Sequence, residues 1–528
     1  MSEPYDTLNS RWASTCKVIF GQELGELSHY SNYLESRSRP PAKQKSCLSG
    51  KEVALVSTGA HECGSFQSLG EVDWKKTYAP LPLDQLKDID SILSALGERF
   101  IYTGDIVLGK SAHVQSSSDV IDSHYVLEST QISFSKYIAY SYCLEYGDCI
   151  FGSQNHGHCS YCIGISNNDK NVRCLEVSHS SYVNDCAYCH NIHECNDCLF
   201  SFGLRSSRYC IGNLQLPKDK YVALKKALME QMAHELQDKR TLPRLEERIA
   251  SLSFDRAKTQ ALLSRAPPAA AKPWNPKPVE ESFSKTMSIL LGRPLSPIAP
   301  YGPWLSQTAR AIYHYPSLRP GASIGLPDYA AFSFYPHDRL VGEADALFLG
   351  RETRMTEPSA TPSFESMFKA VSDAAFFCSD YFVGKNFNNH LDFIGVDCSN
   401  MLQSVVHVTS KNCAYGYYYL ESESCFGCHA IRDSKFCANC CLSAHLSRCL
   451  ECHSCNSSTD CYFCHNVENC EECLFCFNVK GKRYAIGNVE MKKEDYLRIK
   501  KTVLAELAAR LEKDKTLPLS IFNLGCKP

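Results

Sequence analysis

The sequence predicts a mainly β chain with flanking helices: a tandem duplication of a cysteine-lined β-solenoid, with 12-residue coils and an inward residue at every third position, each copy followed by a capping α-helix. Three observations predict this. The stretch DCAYCHNIHECNDCLF from Asp185 returns as DCYFCHNVENCEECLF from Asp460, an offset of 275. Long-range self-similarity of this kind marks a repeat architecture. Cys413, Cys425, Cys437, Cys449, Cys461 and Cys473 are spaced by twelve, and the first copy repeats the spacing at Cys162, Cys174, Cys186, Cys198 and Cys210. Finally, every third residue from Val114 (Val114, Ser117, Val120, Ser123, Val126, Ser129, Ile132) is small or aliphatic. A strand has period two and an amphipathic helix 3.6, so neither explains a period of three. A coil that turns a corner every three residues does, with stacked coils joined by parallel ladder hydrogen bonds.

Taken in order, residues 1–99 form the N-terminal region of the first half, and 100–215 the first solenoid. In the same column as its cysteines stand Val114, Val126, Ile138 and Ile150, an interchange expected of an interior position because free Cys behaves as a small hydrophobe. Residues 216–262 are a helical cap, with Pro243 as a stop signal. A Pro/Ala-rich stretch, 263–284, reads as an extended linker. Residues 285–375 are the N-terminal region of the second half; a weak echo of Cys16 onward from Met287 onward includes this part in the duplicated unit. The second solenoid spans 376–490 and its helical cap 491–528, where Tyr496, Ile499, Val503, Leu507 and Leu511 make an apolar stripe. The two halves suggest a pseudo-dimer within one chain.

A formal charge of -3 gives no basic face for nucleic acid, and no apolar run approaches the ~20 residues that span a bilayer. The start of the chain lacks a basic segment followed by an apolar one, so a cytoplasmic protein is expected. Thirty cysteines in a reducing compartment favour thiols or metal thiolates over disulfides.

Cys186, Cys189, Cys195 and Cys198, matched by Cys461, Cys464, Cys470 and Cys473, have the spacing C-x2-C-x5-C-x2-C. Four thiolates converging on one volume suit tetrahedral zinc, with an iron–sulfur cluster as the alternative. A plain thiol core is the competing expectation, since Cys428, Cys440, Cys452, Cys455 and Cys476 extend the ladder beyond a four-ligand site. His190 and His465 fall off the inward phase and are expected at the surface, with a role as metal ligands or partners of the ligands as the alternative; His407 falls on it and is expected as a hydrogen-bonded interior group. Tyr125, Tyr137, Tyr140, Tyr417 and Tyr418 point outward in this scheme. Motifs with explicit catalytic mechanics, such as H-E-x-x-H or G-x-S-x-G, are absent. The expectation is a non-enzymatic scaffold or protein-interaction protein with structural zinc, bound to another protein or to itself. A metal-storage or redox protein is the alternative, and an enzyme with a site between the halves the third possibility.

Overall fold

The computed structural model describes residues 3–56, 64–82, 86–157, 159–164, 166–267, 274–309, 311–329, 331–359 and 361–526. Strands in parallel sheets dominate, with some helices. From Ala112 onward the parallel partners of the first large sheet are twelve residues apart: Val114 faces Val126, Ile132 faces Leu144, and Cys198 faces Cys210. The second large sheet keeps the same register, with Cys425 opposite Cys437 and Cys461 opposite Cys473. One slip occurs at the start, where Val107 faces Val120.

The backbone explains the period of three. The residue before each inward position adopts a left-handed conformation, as at Asp119, Asp122, Tyr125 and Glu128 in one sheet and Asn412, Tyr415, Tyr418 and Glu421 in the other, with φ between 45° and 61°. Each such residue turns the chain through a corner. Asn and Asp are favoured there because their short polar side chains tolerate this region. The buried serines bridge segments twelve residues apart: Ser129 Oγ donates to the Leu127 carbonyl at 2.7 Å and accepts from Ser141 N–H at 3.0 Å.

Both sheets end alike. Arg208–Ile211 pairs antiparallel with Leu214–Gln215, and Arg483–Ile486 with Val489–Glu490. A helix follows each hairpin, Lys218–Lys239 and Lys493–Asp514. The stripe Tyr496, Ile499, Val503, Leu507 and Leu511 is buried, as are Tyr221, Leu224, Leu228, Met232 and Leu236. Residues 268–273 of the expected linker lie outside the described residues, and a helix, Lys277–Leu291, begins within its C-terminal part.

Two compact units do not follow chain order. Unit 1 is Met1–Ala42, Ile106–Ala270 and Ile312–Tyr381; unit 2 is Lys43–Asp105, Ala271–Ala311 and Phe382–Pro528. The region before each large sheet is therefore divided. Residues 43–105 join the unit of the second sheet, where Tyr102 donates to the Ile521 carbonyl at 2.7 Å, and 312–381 join the first, where Met355 N–H donates to the Gly212 carbonyl at 3.0 Å.

These added segments correct the expectation for the off-phase histidines. His190 and His465 are fully buried. Cys378 N–H donates to His190 Nε2 at 3.2 Å in unit 1, and Thr103 N–H to His465 Nε2 at 2.7 Å in unit 2. A second layer of chain covers the side of the sheet on which each of these histidines lies. Tyr140 and Tyr417 are buried too, whereas Tyr125 and Tyr137 stack in a half-exposed ladder at 5.4 Å between centroids. His407 is interior, as expected, and its Nε2 lies 2.7 Å from Asp392 Oδ2.

Candidate functional site

The eight predicted metal ligands are all buried and unpaired. Each sulfur lies against the carbonyl two residues before it. In unit 1 the distances are 3.2 Å for Cys186, 3.3 Å for Cys189 and Cys195, and 3.5 Å for Cys198. In unit 2 they are 3.4 Å for Cys461, Cys464 and Cys470, and 3.7 Å for Cys473. This is the contact that the inward serines make. The likeness extends to the acceptor side, since Ser201 N–H donates to Cys189 Sγ and Cys440 N–H to Cys428 Sγ, both at 3.4 Å. A thiol stands in for a hydroxyl, donating to one carbonyl and accepting from an N–H twelve residues on. A thiolate has no proton to donate there.

The predicted quartets do not stand alone. Cys198 is buried in one cluster with Cys186, Cys195 and Cys210, and Cys461 in another with Cys449, Cys464 and Cys473. The structure therefore gathers them into continuous columns, interleaved with Val120, Val177 and Ile192 in one unit and Ile431 and Val467 in the other. Burial pushes the Cys174, Cys189, Cys425 and Cys452 thiols well up, which favours their protonated form, whereas neighbouring thiols hold Cys195 down and, against burial, hold Cys449 and Cys464 down. Among the described residues no group of three or more His, Cys, Asp or Glu is placed to hold a metal ion.

A second site, in unit 1, was not anticipated from the sequence. A small cleft, with room for about one water, is lined by Arg37, Gln154, Gly164, Glu176, Arg244 and Glu246, and Arg244 Nε lies 3.5 Å from Glu247 Oε1. Glu176 Oε1 lies 3.0 Å from Arg37 Nε and accepts from the Tyr33 hydroxyl at 3.0 Å. Arg37 also donates to the Leu242 carbonyl at 2.8 Å. The Arg244 guanidinium lies over the Phe334 ring at 3.8 Å, a cation–π contact. Burial pushes the Glu176 carboxyl up to about 7 despite Arg37; it raises Glu246 and lowers Arg244. Gly164 is left-handed at φ 61°, and a Cβ there would come within 2.5 Å of Glu176 Oε1.

The residues 275 positions on make the opposite arrangement in unit 2. Glu451 is likewise buried, with its carboxyl pushed up to about 7 by burial. Asn439, Leu519 and Ile521 stand where unit 1 has Gly164, Arg244 and Glu246. Asn439 Nδ2 donates to one Glu451 oxygen at 2.9 Å; Ile521 N–H at 2.9 Å and Ser520 Oγ at 3.1 Å donate to the other. The unit 2 carboxyl is enclosed by its own chain, and the unit 1 carboxyl faces a cleft.

No protein-family model, no curated protein and no solved structure matches the chain. Among the described residues no helix is long and apolar enough to cross a membrane.

Proposed function

We propose that the chain is a non-enzymatic scaffold: two β-solenoids that arose by tandem duplication, each closed by a hairpin and a capping helix, with interiors filled by reduced thiols. One observation carries this reading, the thiol that repeats the serine's pair of contacts in the same inward column. It makes cysteine a structural residue that satisfies backbone groups while packing like Val. The duplication is supported by matched contacts: Arg240 donates to the Tyr30 hydroxyl at 2.8 Å, and Lys515, 275 positions on, to Tyr301 at 3.2 Å. A reducing compartment, the cytoplasm, suits so many unpaired thiols. The partner class is another protein, met on outer ladders such as Phe134–Tyr146, stacked at 5.6 Å and 39% and 44% exposed. Zinc, or an iron–sulfur cluster, within the columns is the competing reading.

The test replaces two candidate ligands with residues that their own columns carry elsewhere, Cys461→Val (as Val126) and Cys464→Ser (as Ser201). The double variant is expected to fold, with its melting temperature lowered by a few degrees. Loss of the fold together with release of stoichiometric zinc or iron overturns the proposal in favour of a metal centre.

A further inference from the structure

The segments that cross between the units do so reciprocally. The chain leaves unit 1 after Ala42 and returns after Asp105; it leaves unit 2 after Ala311 and returns after Tyr381. Each unit therefore holds a segment from the opposite half of the sequence. Contacts made by one segment recur in the other at the same offset of 275. The helices Ile89–Leu96 and Phe364–Val371 correspond end to end. Their first N–H groups, which have no partner within the helix, donate to Glu506 Oε2 at 3.0 Å and to Gln231 Oε1 at 2.7 Å. Thr103 and Cys378 N–H donate to His465 and His190 Nε2, and the Tyr102 and Phe377 rings lie 5.3 Å and 4.9 Å from the same two imidazoles. Leu96 covers Gly487 as Val371 covers Gly212, each where a Cβ would collide with it. Two related halves that exchange equivalent segments have the topology of a segment-swapped dimer.

The two docking faces are not interchangeable. In unit 1, Gly203 is left-handed at φ 62°, and the helix Glu343–Glu352 approaches it so closely that a Cβ would collide with the Ala346 carbonyl oxygen. The corresponding residue of unit 2 is Asn478, whose Nδ2 donates to the Ile101 carbonyl at 2.8 Å and whose Oδ1 accepts from the Thr103 hydroxyl at 2.6 Å. Residues 68–77, which correspond to that helix, form no α-helix. The second half's segment thus needs a glycine that its own sheet lacks, and the first half's segment uses an asparagine that its own sheet lacks. A steric block against the wrong partner and a hydrogen bond to the right one together make docking selective.

We propose that the chain is two protomers of a segment-exchanged dimer joined end to end, that the halves bind each other without need of the linker, and that Gly203 and Asn478 determine which segment docks on which sheet. The partner each face fits is the segment of the opposite half. This shares with the scaffold reading only the offset of 275, so metal in the thiol columns would leave it standing.

The test uses the full chain with a protease recognition sequence inserted between Pro267 and Trp274 and cut after folding. A photoreactive benzophenone side chain replaces either Asp90, an exposed residue 3.4 Å from Arg510, or Glu365, an exposed partner of Arg248. After irradiation and then cleavage, each is expected to hold the two fragments together on a denaturing gel at the mass of one chain, with the adduct of position 90 on the helix Lys493–Asp514 and that of position 365 within residues 218–262. Fragments cut without irradiation are expected to co-elute after dilution to about 10 nM. Gly203→Asn, at a left-handed position that Asn tolerates, is expected to weaken the cross-link from position 365 at least tenfold and to leave that from position 90. Circular dichroism establishes that the variant is folded; if it is not, the two cross-links in the parent chain decide. Cross-links confined to one fragment, or at the mass of two chains, or fragments that separate as folded bodies, or a cross-link from position 365 unchanged in folded Gly203→Asn, overturn the proposal.

Discussion

Asn439 Nδ2 donates to Glu451 Oε1 at 2.9 Å, filling in unit 2 the space that Gly164 leaves beside Glu176 in unit 1. With the two donors from Ser520 and Ile521, this makes Glu451 a fully enclosed carboxyl.

Burial raises the Glu451 carboxyl from the ordinary 4.5 to about 7, and the sign of its effect on stability follows. The native state holds this proton more tightly than the unfolded chain, so the contribution is fully present below about pH 4.5, is lost as pH rises through about 7, and is flat above. Glu451→Gln removes the slope. Between pH 4 and pH 8 the wild type is expected to lose roughly 3 kcal/mol relative to that variant, from about 1.4 kcal/mol per pKa unit, read from urea unfolding at each pH.

Ser129 tests the equivalence of hydroxyl and thiol directly. Ser129→Cys keeps the donation to Leu127 and the acceptance from Ser141 N–H, and is expected to change stability by less than about 1 kcal/mol. Ser129→Val leaves a buried N–H without an acceptor and is expected to cost about 1–3 kcal/mol. Chemical denaturation of the two variants side by side checks this.

The twelve-residue register of the parallel strands was legible because packing writes itself into composition. Cys198 and Cys210, or Cys461 and Cys473, face one another on neighbouring strands because a buried position there accepts only small or apolar side chains, and that constraint recurs every twelve residues. The corners at Asp119 or Asn412 left a weaker trace, since Tyr125 and Glu128 adopt the same left-handed backbone. The burial of His190 and His465 was not legible, because it depends on residues 378 and 103, which approach only once the chain is folded. The same holds for the cleft: Arg37, Gln154, Glu176 and Glu246 are far apart in sequence. Its sequence trace is the exchange of Gly164, Arg244 and Glu246 for Asn439, Leu519 and Ile521 at an offset of 275.

Arg339 is a fully buried arginine whose guanidinium donates to the Ser372 carbonyl at 2.6 Å, the Leu252 carbonyl at 2.7 Å and Ser372 Oγ at 2.8 Å. Burial lowers its pKa to about 10. Three strands of chain in unit 1 hang on one planar fork. Arg339→Ala is expected to destabilise the protein by about 3–5 kcal/mol, and Arg339→Lys to recover less than half of that, because an ammonium cannot reproduce the fork. Thermal unfolding of both variants measures the difference.

The central claim is that the cysteine columns are protonated packing, and metal analysis beside a thiol count tests it most directly. Protein purified without oxygen is assayed for zinc and iron per chain, and its free thiols are titrated in denaturant. The account predicts no stoichiometric metal and at least 28 reactive thiols, the number of free cysteines among the described residues. One or more zinc or iron per chain, lost when Cys461 and Cys464 are replaced, would contradict it and make the columns a metal centre.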